Sequence, residues 1–397
     1  MTHQGSRPTE QVATGPSAAR RERPRYFVLS GDVKAVSLQR LRYFQRLDVY
    51  HVYQRTRRRM KADDTSAEDF AGHHFHAPTP FHVLWHLYRA KPDIVQGPEP
   101  FSILMFMYLL PIYLYLLLHP RVKLVVNSLE PIPLEQKYTR FVAAPMRWIL
   151  RGYFHRASII FWFVPGVEAG YLAAGAPRDR IVQHVYADWG VDLDVYHPNG
   201  EAETQWANRP VVLFLGRLVP EKGVHHLIAA FERLRDAGHD AQLVIVGDGP
   251  ERERLQQQAR VTPFAADIVF TGLVPQRVVP RFYRAASVMV APFLSSRLWI
   301  AQWDNVFMEA MACGLPIIAA DSPQNREVVG RDAGIFVKEG DVDGYAEALV
   351  RVVSEPKLQE TLSLAARREA EQRFDPARNA ASAERLILKA TGFDDAA

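Results

Sequence analysis

Short apolar runs alternate with helix-period segments along most of the chain, and this alternation sets the expected fold class. In the first half, "RYFVLSG" (25–31), "DVYHVYQ" (48–54), "DIVQG" (93–97), "VKLVVN" (122–127), "SIIFWFV" (158–164) and "RIVQHVY" (180–186) read as strands. Between them lie an amphipathic segment near 36–47, "FHVLWHLYRA" (81–90), the apolar run 101–118 and a helix near 139–156. Strands joined through helices of this length pair in parallel by crossover connections, so a parallel α/β sheet is expected.

After "GVDLDVYHPNG" (190–200) the pattern restarts. Strands are expected at "PVVLFLGRL" (210–218), "AQLVIVGDG" (241–249), "DIVFTGLV" (267–274), "SVMVAPF" (287–293) and "PIIAAD" (316–321), with helices at 223–237, 250–260, 277–286, 305–313 and 342–353. The restart predicts two doubly wound, Rossmann-like domains facing across a cleft, with ligands at the carboxyl ends of the strands. Residues 1–24 are expected to be a disordered tail, 25–204 the first domain and 205–374 the second, while 375–397 form a helical segment that returns to the first domain.

Composition refines this picture at three points. The chain of 397 residues is 48% hydrophobic and 23% charged, a globular balance that suits two domains. Its single cysteine, Cys313, excludes a disulfide framework and a thiolate-rich metal site, and fits a reducing, cytoplasmic compartment. Charge is uneven: fourteen Lys/Arg face four acids within residues 1–61, leaving about −6 for the remainder. The stretch "SLQRLRYFQRLDVYHVYQRTRRRMK" interleaves Arg with Leu, Phe and Tyr, which suits an anionic membrane surface; a solvated basic face is the alternative. The uncharged run Phe101–Leu118 is long enough for a membrane span. Its place between two strands of one sheet favours an apolar crossover helix, kinked at Pro111 and able to dip into lipid.

Two segments carry candidate chemistry. In "FLGRLVPEKGVHHLIAAF" (214–231) a buried strand ends at Gly216, and Arg217 and Lys222 follow in a tight loop that opens onto a helix N-terminus. Two cations beside a helix dipole suit a diphosphate, whereas a solvated loop is the plain alternative. In "VFMEAMACGLPIIAAD" (306–321) Glu309 precedes Ala310, Ala312 and Gly314; a carboxylate there can accept both hydroxyls of a ribose, or simply cap a helix. The run "HHFH" (73–76) lacks carboxylate or thiol partners at ligand spacing, so no metal site is assigned to it. The basic charge comes with no recognition motif, so no nucleic-acid partner is expected.

In order and spacing, "GRLVPEKG", "LVIVGDGPERERL", "FTGLVP", "FYRAASVMVAPF", "EAMACGLPIIAAD" and "REVVG" resemble the donor domain of family 4 glycosyltransferases, and "KPDIV" and "GVDLDVYHP" agree in the first half. The resemblance implies a GT-B fold, a nucleotide-diphosphate-sugar donor, retention of anomeric configuration, and neither metal nor cofactor. It makes Arg217 and Lys222 the diphosphate clamp and Glu309 the ribose ligand. It also puts backbone at Leu273 and Val274 against the base, backbone at Asn305 and Val306 near sugar or phosphate, and Gly31, in the first strand-helix loop, at the facing domain's closest approach.

Two departures fall on the sugar. Ala301 stands where the family has a second Glu, with Trp303 and Asp304 where its Phe-Gly pair is found. Ser128, Leu129 and Glu130 follow the strand where a sugar-contacting His is common. Trp303, Asp304 and Glu130 are therefore candidate sugar contacts, with helix capping the alternative role for Asp304. The expected function is retaining sugar transfer to a lipid-linked or glycolipid acceptor, by an enzyme peripheral on the inner face of the plasma membrane. The rivals are a GT-B shell that binds nucleotide or a partner transferase without catalysis, and a sugar-nucleotide epimerase of similar build.

Overall fold

In a computed structural model, residues 23–33, 41–56, 73–184, 190–206, 209–297, 300 and 304–394 are described. They form two parallel sheets. The first holds β1 (Arg25–Val33), β2 (Asp48–Thr56), β3 (His73–His76), β4 (Ile94–Gln96), β5 (Lys123–Ser128), β6 (Ala157–Trp162) and β7 (Ile181–Gln183), in the order β3-β2-β1-β4-β5-β6-β7. The second holds β8 (Val211–Leu215), β9 (Gln242–Val246), β10 (Ile268–Gly272), β11 (Val288–Ala291), β12 (Ile317–Ala320) and β13 (Gly334–Val337), in the order β10-β9-β8-β11-β12-β13. Both orders reverse direction beside the first strand of their sheet, which opens a crevice at the carboxyl ends. Central strands such as "VVLFL" and "QLVIV" are almost wholly apolar because helices cover both faces of a parallel sheet.

Helices of the first half are α1 (Pro80–Ala90), α2 (Ile103–Leu118), α3 (Leu134–Lys137), α4 (Arg140–Arg156) and α5 (Val167–Ala173). Those of the second are α6 (Val224–Asp236), α7 (Arg252–Arg260), α8 (Val279–Ala285), α9 (Asn305–Ala312), α10 (Pro323–Val329), α11 (Val342–Ser354) and α12 (Pro356–Arg373). The last helix, α13 (Pro376–Thr391), leaves the second sheet and covers the first. Its Ala380, Ala383, Ile387 and Leu388 pack with Tyr26, Val28, Ile94, Val125 and Phe161, and with Leu41, Phe44 and Leu47 of the turn before β2. Glu384 ties that turn down by accepting from the backbone N–H of Arg46 at 2.7 Å and of Leu47 at 2.9 Å.

The apolar run is α2, the crossover helix expected between the paired strands β4 and β5, and among the described residues no helix is long and apolar enough to cross a membrane. Other expectations change or are refined. Within the basic stretch, residues 48–56 are β2, at the strand expected there, held between β1 and β3, while residues 41–47 before it form a turn, and the Arg42 and Arg46 side chains pair with Asp192 and Asp394. "HHFH" is the edge strand β3. Gly31 is not in a loop: β1 runs on through it because Asp32 and Val33 still pair with Arg55 and Thr56. The tail 1–22, residues 36–40 of the segment near 36–47, and Ala301 and Trp303 lie outside the described residues.

Candidate active site

The cation-bearing loop is shaped by backbone close to backbone. After β8 the Gly216 N–H donates to the Val246 carbonyl at 3.0 Å, so the loop folds against the end of β9. A single turn at Pro220–Lys222 then delivers the chain to Gly223, whose φ of +64° opens α6. A Cβ on Gly223 would run into the Pro292 carbonyl oxygen, so only glycine fits.

This turn buries Lys222, which is 3% exposed. Its ammonium lies 3.7 Å from the centroid of the Phe293 ring and 2.6 Å from Asp304 Oδ2. Burial lowers the Lys222 pKa, Asp304 pulls it back up, and the nearby Arg217 guanidinium lowers it further. Arg217 itself is exposed. A buried ammonium and an exposed guanidinium thus share one loop, with the half-exposed Asp304 carboxylate seated on the ammonium.

Asp304 occupies the residue before α9 but accepts no capping hydrogen bond, so its carboxylate serves Lys222 and not the helix. Asn305 and Val306 form the first turn of that helix. Glu309 lies beyond the first turn, where it could not cap, and is only 7% exposed. The Tyr283 hydroxyl donates to its Oε2 at 3.0 Å and the Gln276 amide to its Oε1 at 3.2 Å. Gln276 also bonds the Tyr196 hydroxyl. Burial, reinforced by Glu309, raises both tyrosine pKa values, so both remain protonated donors around the carboxylate. Between β10 and Gln276 stand Leu273, largely exposed, and Val274, partly buried.

Gly216, Arg217, Lys222, Leu273, Val274, Asp304, Asn305, Val306 and Glu309 are therefore all carried by loops and the helix start at the carboxyl edge of the second sheet. Glu130 belongs to the other side, after β5. Its Oε2 lies 2.6 Å from Lys137 Nζ and its Oε1 accepts from the Ile132 N–H at 3.1 Å, so both oxygens already serve their own loop.

Sequence reasoning missed Glu99, at the carboxyl end of β4. It accepts from Ser128 Oγ at 2.6 Å and from the Leu129 N–H at 3.2 Å, fixing the segment where a sugar-contacting His was sought. Burial raises the Glu99 pKa, against the opposing effect of the Ser128 bond. Tyr283, Gln276 and Phe293 were missed too. Tyr283 and Phe293 lie inside "FYRAASVMVAPF", but only the fold shows which side chains they face. The two halves meet where the Gln136 amide donates to the Arg297 carbonyl at 3.0 Å.

Residues 200–369 match the family profile described as "Glycosyl transferases group 1". The chain is 34% identical over 187 residues to the GDP-mannose-dependent alpha-(1-6)-phosphatidylinositol monomannoside mannosyltransferase of Mycolicibacterium smegmatis, a match covering 45% of this chain and 49% of that protein. It is 32% identical over 231 residues to the 2-deoxystreptamine N-acetyl-D-glucosaminyltransferase of Streptomyces fradiae, covering 56% and 52%. The matches thus span about half the length of these relatives. The fold is similar to that of Anabaena HepE in complex with UDP, with a TM-score of 0.72, 17% identity, and coverage of 92% of this chain and 100% of that one. The chain thus has the GT-B architecture of two Rossmann-like domains, and the second of them carries the match to the group 1 glycosyl transferases over residues 200–369.

Proposed function

We propose that the chain transfers a sugar, with retention of anomeric configuration, from a nucleotide-diphosphate donor to a lipid-linked or glycolipid acceptor at the cytoplasmic face of a membrane. The observation that carries this reading is the convergence of the Arg217–Lys222 loop and the buried Glu309 on one strand-end crevice. The diphosphate takes the seat on Lys222 that Asp304 holds, with Arg217 at the open side. Glu309, oriented by Tyr283 and Gln276, is the carboxylate that accepts from the ribose hydroxyls. The anomeric carbon–oxygen bond to the β-phosphate breaks as a bond to the acceptor oxygen forms on the same face, and the acceptor proton passes to the departing phosphate oxygen. The protein then needs no general base; its task is to stabilise charge growing on the diphosphate. The phosphatidylinositol mannoside named for the mycobacterial relative supports a lipid acceptor.

The test is turnover of UDP-, GDP-, ADP- and dTDP-linked sugars with a membrane lipid extract. At least one donor should be consumed, and Arg217→Ala should slow it by about 10²–10³, the scale for losing one preorganised charge donor. A second reading, a nucleotide-binding shell, is favoured by one observation: Asp304 neutralises the cation that the diphosphate requires. Nucleotide binding that depends on Glu309, without turnover of any donor, would establish the shell.

A further inference from the structure

We propose that the outer face of α1, α2 and α4 is a docking surface for an anionic lipid bilayer. Each helix turns a stripe of large apolar side chains outward at helical spacing. On α1 these are Phe81, Trp85 and Tyr88; on α2, Met107, Leu114 and Leu118; on α4, Phe141 and Trp148. Exposure reaches 83% at Phe81, 77% at Phe141 and 78% at Trp148, values without account in a face that only meets water. The helices are neighbours: the Tyr88 and Tyr115 rings meet edge-on at 5.2 Å between α1 and α2, and those of Tyr113 and Tyr153 at 5.8 Å between α2 and α4.

Charge selects the occupant. None of the three helices contains Asp or Glu, whereas they carry Arg89, Arg140 and Arg151, besides Arg147, which pairs with Glu135 at 2.5 Å, and Arg156, which donates to the Pro120 and Val122 carbonyls. The Arg89 guanidinium lies 5.1 Å from the Trp85 ring and that of Arg140 4.9 Å from the Phe141 ring, which sets cations beside the aromatic side chains. Aromatic and aliphatic side chains that enter the headgroup boundary, beside cations that meet lipid phosphates, supply the two signals that stable interfacial binding needs.

The surface also points toward the crevice. The N-terminus of α2 is tied to the segment before α4, with the Tyr138 hydroxyl accepting from the Ile103 N–H at 2.9 Å, and Gln136 in that segment touches the second half. A docked bilayer would therefore lie next to the carboxyl ends of both sheets. In this respect the inference rests on the proposed lipid acceptor, but docking is measured without any transfer.

The experiment is flotation of the full chain at low salt with vesicles of phosphatidylcholine alone or mixed with phosphatidylglycerol. Binding is expected to the mixed vesicles and to fall as salt rises. The combined Trp85→Ser, Phe141→Ser, Trp148→Ser variant, altered only at exposed side chains, should lower the bound fraction at least about tenfold and leave nucleoside diphosphate affinity unchanged. Arg140→Gln with Arg151→Gln should weaken binding to the mixed vesicles alone, a separate readout if the triple variant folds poorly. No flotation with phosphatidylglycerol, or unchanged flotation of both variants, would overturn the proposal. So would conversion of a native dimer to monomer by the triple variant, since the face would then be covered by a second copy.

Discussion

Lys222→Met is the most direct probe of the site. Methionine keeps an unbranched stem in the slot over Phe293 and removes only the ammonium. The change loses the ion pair with half-exposed Asp304, worth about 0–1 kcal/mol, and the ammonium's contact with the Phe293 ring, worth about 0.5–2 kcal/mol, while relief of the buried ammonium's desolvation offsets them. Stability should therefore stay within about 1 kcal/mol of the native value. Binding of a nucleoside diphosphate should suffer more, because a charge-assisted hydrogen bond is worth about 1.5–3 kcal/mol, or about 10–150-fold in Kd. Asp304→Asn should act in the opposite direction. It removes the anion that the diphosphate displaces, so affinity should tighten up to about fivefold, the limit set by a half-exposed pair. Titration calorimetry with UDP and GDP reads both effects. If Lys222→Met binds within about twofold of the native chain, or Asp304→Asn binds more weakly, the diphosphate does not use this seat.

Other outcomes follow from single contacts. Glu309→Ala leaves the buried Tyr283 hydroxyl without its acceptor and should cost about 1–3 kcal/mol in urea unfolding as well as nucleotide affinity; Glu309→Gln, which keeps an acceptor, should lose mainly affinity. Gly223→Ala forces a Cβ into the Pro292 carbonyl at a left-handed φ and should cost more than about 3 kcal/mol; a milder loss by urea titration would mean that the loop can shift. His51 is buried with its pKa lowered to about 3, chiefly by burial and further by His74. The unfolded chain therefore takes up this proton first, so stability is full above about pH 6.5 and falls below it by up to about 1.4 kcal/mol per unit. Unfolding curves between pH 7 and 5 should be flatter for His51→Gln, and an unchanged slope would assign the acid sensitivity elsewhere.

The strands were legible where burial on both faces wrote them as continuous apolar runs, as in β8, β9 and β12. At the sheet edges β7 and β10 could be read from "RIVQHVY" and "DIVFTGLV", whereas β3 and β13 could not. β3 is spelled "HHFH", and β13 offers only "GIFV", so each is a strand because a neighbour pairs with it and not because its composition demands one. Gly31 failed for the same reason: whether a glycine ends a strand depends on whether the next residues find partners, and here Arg55 and Thr56 supply them. In the site, Arg217, Lys222 and Glu309 were visible as residue types at motif spacing. Asp304 was weighed against a sugar, whereas its actual partner lies 82 positions away in sequence.

The lipid-facing surface shows a deeper limit of the same kind. Periodicity states that Phe141 and Trp148 share one face of a helix, and a hydrophobic stripe is ordinarily the face that packs. In α4 the sheet is instead met by Ala143, Met146, Leu150, Tyr153 and Phe154, which leaves the aromatic pair outside. Two apolar faces on one helix cannot be ranked from their own residues, because the choice belongs to whatever covers them. The fold decided it by placing β5 and β6 on one side and nothing among the described residues on the other. The Arg-rich N-terminal stretch suited a membrane surface by composition, and the strand read at 48–54 within it is β2. Its charge could not fix its location, whereas the acid-free α1, α2 and α4 combine charge, exposure and position in one surface.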